Sequence, residues 1–147
     1  MAQAMLEKVP FGYILYDISD KKTVRVFSMD DEWYVHLEKR LGDNGSDVTG
    51  LTLKKSQVEE LAKMSDEIMK SSDAIRQRGE LIQRVFDISE RIYVTVDFRY
   101  GGGVDLRAFY VDKTDAIKPT KKGIYFSSYE ARRLFEEVLP KILATMQ

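Results

Sequence analysis

The side chains with the clearest chemical potential in this chain are guanidinium groups and aromatic rings in its second half. They fall on alternate positions of two segments: Arg91, Tyr93, Thr95, Asp97 and Arg99, then Asp105, Arg107, Phe109 and Val111. Alternate residues of a β-strand point to one face of its sheet. Aromatic rings stack on unpaired bases, and basic side chains follow the phosphates. The pattern therefore favours a surface for single-stranded nucleic acid.

A plainer interpretation stays open, because charged residues that alternate along a half-exposed strand are most often a solvated face. Trp33 and Tyr34 can equally be ordinary core and edge aromatics, and His36 is expected to have a surface or hydrogen-bonded structural role. Gly101 to Gly103 join two predicted strands and lead into no helix, so they predict a hairpin turn and not a phosphate-binding loop.

Composition argues against catalysis and against bound metals. The chain has no cysteine and one histidine, which excludes thiolate and multi-histidine metal sites. Asp97, Asp105 and Asp112 are scattered over strands and turns and are interpreted as solvated carboxylates. We therefore expect no enzyme, no cofactor and no metal. With no apolar run of about 18 residues and no signal-peptide pattern at Met1 to Pro10, a soluble intracellular protein is expected.

The formal net charge of −1 is unevenly distributed. Residues 1–70 carry 10 basic and 13 acidic side chains, a net of −3, whereas residues 71–147 carry 13 and 11, a net of +2. From Arg91 to Lys122 there are seven basic and four acidic residues. Any phosphate-binding surface is therefore expected in the second half.

The chain also contains an internal repeat with an offset near 70 residues. Tyr16-Asp17-Ile18-Ser19 recurs as Phe86-Asp87-Ile88-Ser89, and Val35-His36-Leu37 recurs as Val104-Asp105-Leu106. Apolar alternation predicts strands near 11–18, 22–29, 32–39 and 48–53, then near 80–88, 91–99, 103–111 and 122–126. Turn residues are predicted between the strands, including Asp30-Asp31 and Asp43 to Gly45.

Helical spacing follows the fourth strand of each copy. The first predicted helix begins near Lys54, has an exposed face that continues into the polar stretch Ser71 to Arg78, and ends at Gly79. The second begins with a capping box, Ser127 to Glu130. Pro140 is expected to kink or end it.

The second copy resembles the positive cofactor four family of single-stranded-DNA-binding transcriptional coactivators. The resemblance rests on Phe86-Asp87-Ile88, on Tyr93 to Val96, on Val104 to Tyr110 and on Lys118-Pro119-Thr120-Lys121-Lys122-Gly123-Ile124. It implies contact residues at Phe98, Arg99, Arg107, Tyr110 and Lys122. Tyr110 stands where the family usually has Trp. Since Phe98 and Tyr110 lie on the apolar side of the predicted alternation, a bulge or curvature must bring them to the ligand.

The first copy departs further from the family, with Glu38 in place of Arg107 and Thr49 in place of Lys122.

Taken together, the patterns and the resemblance predict an α+β fold of two tandem β-β-β-β-α units with their closing helices packed together. The resemblance implies curved antiparallel sheets in a Whirly-like intramolecular pseudo-dimer. The predicted divisions are an N-terminal segment 1–10, a diverged unit 11–78 and a second unit 79–147. The predicted nucleic-acid-binding residues are Arg91, Tyr93, Phe98, Arg99, Arg107, Phe109, Tyr110, Lys118, Lys121 and Lys122, with Trp33, Tyr34, Lys39 and Arg40 in the first unit.

Two other functions compete with this interpretation. A purine-rich element-binding protein would share the tandem strand-then-helix order, and a protein-interaction scaffold would fit the acidic first half. The resemblance implies single-stranded nucleic acid as the partner, with transcription or replication proteins as further partners, no membrane, and a nuclear or nucleoid location. DNA or RNA preference and a further homodimer are left open.

Overall fold

The computed structural model describes residues 13–41 and 47–147, without the side chains of residues 41, 47 and 48. The predicted N-terminal segment 1–10, the start of the first strand at residues 11 and 12, and the turn from Asp43 to Gly45 lie outside the described residues. No helix in the described part of the chain is long and apolar enough to cross a membrane.

The first unit is a four-stranded antiparallel sheet with the strands in sequence order. Its strands are β1 (Ile14–Asp17), β2 (Lys22–Met29), β3 (Glu32–Leu41) and β4 (Asp47–Lys54). Asp30 and Asp31 both have positive φ angles, as a two-residue hairpin turn requires. Alternate apolar residues such as Val24, Val26 and Leu37 are buried against helix α1 (Lys55–Arg78) and the second unit.

The second unit repeats this order. Its strands are β5 (Gln83–Asp87), β6 (Ile92–Asp97), β7 (Val104–Val111) and β8 (Ile117–Phe126). The C-terminal helix follows as α2 (Ser128–Arg132), a π-helical segment (Arg133–Val138) and α3 (Leu139–Thr145). The predicted fold class, two tandem four-stranded antiparallel sheets each followed by a helix, is confirmed.

The ladder registers of the two sheets correspond to each other. Tyr16 pairs with Val24 and Val24 with Leu37 in the first sheet. In the second sheet Phe86 pairs with Val94, which in turn pairs with Leu106. These are the residues that the repeat alignment places at equivalent positions, because the same apolar alternation selects the same buried face in both sheets.

The structure differs from the predictions at three places in the helices and the last strand. The polar stretch from Ser71 to Arg78 forms the last part of α1, as predicted, but Ser71 and Ser72 are buried and not exposed, with the Ser72 hydroxyl donating to the Gly102 carbonyl. Of the two outcomes expected at Pro140, a kink or an end, the end is not observed, because the π-helical turn before the proline changes the hydrogen-bond ladder where the proline lacks a donor. Strand β8 begins at Ile117, five residues earlier than predicted.

The predicted helix ends are confirmed. Gly79 adopts φ 63° and caps α1, with the amides of Gly79 and Glu80 donating to Ile75 and Ala74, as in a Schellman motif. Ser127 and Glu130 form the capping box, since the Ser127 hydroxyl accepts from the Glu130 amide while the Glu130 carboxylate accepts from the Ser127 amide.

Substituting Gly50 by alanine is expected to destabilise the first sheet. Gly50 pairs with Glu38 across β3 and β4. A Cβ atom there would overlap the Leu37 carbonyl oxygen and lie 2.9 Å from the Glu38 Cα, so backbone would have to move. We expect Gly50→Ala to lower the free energy of unfolding by about 3 kcal/mol, measured by urea denaturation.

The matched control for this substitution is Gly79→Ala. A Cβ atom at Gly79, in contrast to one at Gly50, would meet nothing within 4 Å. The left-handed backbone of Gly79 alone should cost about 1 kcal/mol. Equal destabilisation by the two substitutions would contradict the steric argument.

Candidate nucleic-acid interface

The open face of the second sheet contains a groove of about 510 Å³ in which three predicted residues meet. Tyr93, Arg107 and Phe109 all line it. The Tyr93 and Phe109 rings meet edge to face, with centroids 5.1 Å apart and planes at 90°. Other lining residues are Gln83, Val85, Thr95, Tyr100, Asp105, Ile117 and Pro119. The period-two alternation places Tyr93 and Thr95 on this face, opposite the buried Val94 and Val96.

Arg107 lines this groove and is held there by three hydrogen bonds. Its Nε and Nη2 atoms donate to the two carboxylate oxygens of Asp105, at 3.0 and 3.1 Å, and Nη1 donates to the Thr120 carbonyl at 3.0 Å. Gly123 makes room for it, since a Cβ at Gly123 would lie 2.7 Å from the Arg107 Cζ. Asp105 is thus an ion-pair partner, and its interpretation as a merely solvated carboxylate is wrong.

Strand β6 ends at Asp97, and a 3₁₀ turn, Phe98–Tyr100, follows it. The prediction that Asp97 is a solvated carboxylate is wrong, because the residue is 0% exposed and accepts hydrogen bonds from Arg99 and Gln83. The hydrogen bond from the Arg99 side chain, followed by that from its backbone amide, lowers the pKa of Asp97 to about 2. The turn leaves Phe98 40% exposed.

A β-bulge between Arg107 and Phe109 interrupts the pairing of β7 with β8. Between the pairs that these two residues form, β8 advances four residues, from Gly123 to Pro119, while β7 advances two, so the extra residues lie on β8 and the alternation of β7 is unchanged. Tyr110, which strict alternation would place on the apolar side, is 46% exposed. The turn after β6 thus accounts for the exposure of Phe98, whereas Tyr110 is exposed near the end of β7, next to the exposed Val111.

Lys118, Lys121 and Lys122 all lie on strand β8, because this strand begins before the predicted start at residue 122. Lys118 forms an ion pair with Asp112 at 2.9 Å. Hydrogen bonds to the Asp112 carboxylate, first from the Thr114 hydroxyl and then from Lys118, lower its pKa to about 2. Lys121 and Lys122 are exposed, and no ion pair to either is found among the described residues.

Arg91 lies in the hairpin between β5 and β6. Its φ angle is 64°, within a run of three positive φ angles from Ser89 to Arg91. Its carbonyl accepts a hydrogen bond from the Phe109 amide at 2.8 Å, while its side chain is exposed. The backbone of Arg91 therefore helps to hold the strand that carries Phe109.

The first sheet places its four predicted residues on different sides. Trp33 is half-buried and packs against the core. Lys39 lies on the same strand and points to the same face as Trp33, because the two positions differ by an even number of residues. Tyr34 stacks on Phe27 with ring centroids 5.7 Å apart and donates to Glu32. Arg40 is exposed near the end of β3. The structure does not gather these residues into one groove.

Glu38 occupies the position of Arg107 in the first sheet. It pairs with Thr23 across β2 and β3, as Arg107 pairs with Tyr93 across β6 and β7. Glu38 is 4% exposed and accepts hydrogen bonds from the Thr23 hydroxyl and from Arg25. The face of the first sheet is therefore centred on a buried, paired carboxylate.

His36 has the hydrogen-bonded environment expected of a structural histidine. Its Nδ1 lies 2.8 Å from the Thr52 hydroxyl. Burial lowers the pKa of His36, and the nearby Arg25 adds to this effect, while Glu38 opposes it. No group of three or more metal-ligating side chains is present within the described ranges.

The sequence patterns did not identify Tyr100, Tyr125 and Val85 as parts of the open face of the second sheet. Tyr125 donates a hydrogen bond to the Tyr100 carbonyl, and their rings meet edge to face with centroids 5.8 Å apart. Val85 lies on the groove from edge strand β5. Val85 and Tyr125 pair across strands with Thr95 and Asp105, which lie on the open face. An alignment of the predicted strands would therefore have placed both residues on that face.

A comparison with protein families matches part of the second unit. Residues 86–137 match the family model described as Transcriptional Coactivator p15 (PC4). The matched segment resembles a coactivator family. It contains Tyr93, Asp105, Arg107 and Phe109 of the groove.

The other comparisons add little. No curated protein matches the chain. A solved structure titled "Crystal structures of trypanosoma bruciei MRP1/MRP2" is 12% identical, covering 96% of this chain and 88% of that one, with a TM-score of 0.38.

Proposed function

We propose that this protein binds single-stranded nucleic acid on the open face of its second sheet, as a coactivator-type protein. The observation that carries the proposal is the groove in which Tyr93, Phe109 and Arg107 meet within the segment that matches the coactivator family. Rings on an open sheet provide stacking surfaces for unpaired bases, whereas a duplex keeps its bases stacked on each other.

The exposed cations around this groove supply the phosphate contacts. Lys121 and Lys122 lie on β8, and Arg91 lies on the hairpin that holds the Phe109 strand. Phe98 and Tyr110 extend the aromatic surface beyond the groove, and Arg99 and Lys118 extend the basic one. Trp33, Tyr34, Lys39 and Arg40 are secondary candidates on the first sheet.

The two units, 11–78 and 79–147, are proposed to act as a Whirly-like intramolecular pseudo-dimer in which the first unit is a diverged copy of the second. The corresponding registers of the two sheets support this proposal. Glu38 in place of Arg107 puts a carboxylate where the second sheet has a guanidinium, so the first sheet is proposed as the weaker nucleic-acid surface. Size-exclusion chromatography with light scattering should give the mass of one chain, and an obligate dimer of whole chains would contradict it.

A scaffold that binds protein in place of nucleic acid is the second candidate. It is favoured by the intramolecular pairing of Arg99 with Asp97, of Arg107 with Asp105 and of Lys118 with Asp112. These three cations are partly neutralised before any ligand arrives. Nuclear or nucleoid location, and transcription or replication proteins as partners, belong to the first candidate.

Titration of a fluorescent single-stranded oligonucleotide separates the two candidates. We expect the native chain to bind the single strand more tightly than the same sequence as a duplex. The logarithm of the affinity should fall with the logarithm of salt concentration by about 0.7 per phosphate contacted.

Lys121→Ala with Lys122→Ala should reduce the slope of this dependence by about 1.4, since two phosphate contacts are removed. Lys63→Ala, on the exposed side of α1, is the control. Undetectable binding of the native chain at low salt would favour the scaffold.

A further inference from the structure

The groove on the second sheet has an apolar lining and one cation, Arg107, whose charge is paired with that of Asp105. Tyr93, Phe109, Val85 and Ile117 surround it, and its volume of about 510 Å³ lies within the range of small-molecule sites, about 300–1,000 Å³. Its cation, Arg107, donates to both oxygens of Asp105. Both side chains are shielded, with 26% of Arg107 and 14% of Asp105 exposed.

This arrangement is unfavourable for a phosphate. An anion that approached Arg107 would also approach the Asp105 carboxylate, and the two charges of the pair cancel at a distance. Lys121 and Lys122, which are exposed on neighbouring β8, are better placed to neutralise phosphates. Arg107 is therefore expected to contribute directed hydrogen bonds and not net charge.

Arg107 retains donors for such bonds. A guanidinium has five N–H groups, and three are used: Nε and one on Nη2 by Asp105, and one on Nη1 by Thr120. One N–H remains on each terminal nitrogen. Two donors on one guanidinium match the O6 and N7 acceptors of guanine, whereas adenine presents a donor beside its N7 acceptor.

We propose that the groove recognises an unpaired guanine, with Arg107 donating to its edge and with Tyr93 and Phe109 contacting its face. Asp105 holds the guanidinium in position, and Gly123 leaves the space it occupies. This inference rests on the proposed function and adds a base preference to it.

The test uses oligothymidine strands with one central guanine, adenine or cytosine, titrated by fluorescence anisotropy. We expect the native chain to prefer the guanine strand over the adenine strand by about 5- to 150-fold, the range of one bidentate contact. Replacing that guanine by 7-deazaguanine removes the N7 acceptor. This replacement should abolish most of the preference without any change in the protein.

The matched protein variant is Arg107→Lys, which keeps the charge but loses the fork of donors. We expect it to bind all three strands equally, with the salt dependence of the native chain. Lys122→Ala should instead weaken binding to all three strands alike and reduce the salt slope by about 0.7.

The outcomes separate the two proposals. Tight binding without preference for guanine would overturn the base recognition and leave the proposed function standing. A loss of salt slope in Arg107→Ala would do the same, since it would make Arg107 a phosphate ligand. No binding of any strand by the native chain would overturn both.

Discussion

Substituting both Tyr93 and Phe109 by alanine should weaken the binding of single-stranded DNA at least about 30-fold. Each stacked base contributes about 1–3 kcal/mol in single-strand binders, so two rings account for about 2 kcal/mol or more. The two rings contact each other, so the effects of the single substitutions need not add up to that of the pair. Fluorescence anisotropy at fixed salt concentration measures the change.

Two variants serve as comparisons for this result. Tyr129→Ala removes a ring that is 73% exposed at the start of α2, outside the groove, and should leave affinity unchanged. Phe27→Ala with Tyr34→Ala removes the stacked pair of the first sheet. If that pair lowers affinity as much as the groove pair does, both sheets bind. If the groove pair has no effect, the assigned interface is wrong.

Glu130→Gln is expected to cost about 3 kcal/mol of unfolding free energy, the effect of breaking a buried ion pair. The Glu130 carboxylate accepts from Lys22 at 2.7 Å and from the Ser19 hydroxyl at 2.6 Å, so it joins the helix of the second unit to the first sheet. It also closes the capping box on Ser127. With the charge removed, the buried ammonium of Lys22 loses its counter-ion.

The pH dependence of stability provides an independent measurement of the same contact. Burial alone would raise the pKa of Glu130, but hydrogen bonds from Lys22, Ser19 and the Ser127 amide outweigh it and lower the pKa from 4.5 to about 2. A carboxylate whose pKa is lower in the folded than in the unfolded state stabilises the protein at pH values above its unfolded-state pKa. This contribution is lost as the pH falls toward the folded-state pKa. The difference in stability between the native chain and Glu130→Gln should therefore shrink between about pH 4.5 and pH 2.

Glu136→Gln is the matched control for this substitution. Glu136 is on the same helix and also pairs with a cation, Arg132, but 53% of its side chain is exposed. An exposed pair at this spacing contributes about 0.5 kcal/mol or less. If Glu130→Gln lowered the free energy of unfolding by no more than Glu136→Gln does, the interface between the two units would not depend on the Glu130 contact.

The apolar periodicity of the sequence determines most of the fold. Strand β2 is observed at its predicted bounds, and the predicted Asp30-Asp31 turn, Gly79 cap and Ser127 capping box are confirmed. These features are local, because each follows from the conformational preference or hydrogen bonding of a few neighbouring residues. The repeat extends the same local rules over both units, so one alternation pattern predicts two sheets of one topology.

Departures from ideal geometry are what local rules cannot predict. Strand β8 begins five residues before its predicted start, because Pro119 is tolerated at an edge where its missing donor is not needed by a further strand. The Ser71-Ser72 pair reads as an exposed polar stretch but is buried where Gly102 approaches the helix. At Ser72 a contact distant in sequence outweighs the local polarity, and at Pro119 the position of the strand in the sheet outweighs the local turn signal.

By itself the sequence determined the two sheet-and-helix units, the buried face of each strand and the presence of alternating rings and guanidinium groups on the other face. Only the tertiary structure decided that Tyr93, Phe109 and Arg107 share a groove, that Asp97 is buried, and that Trp33 packs against the core. The physical reason is that a side chain's face follows from its own strand. Its neighbours and its charge state, by contrast, depend on strands, bulges and ion pairs formed by residues far away in the chain.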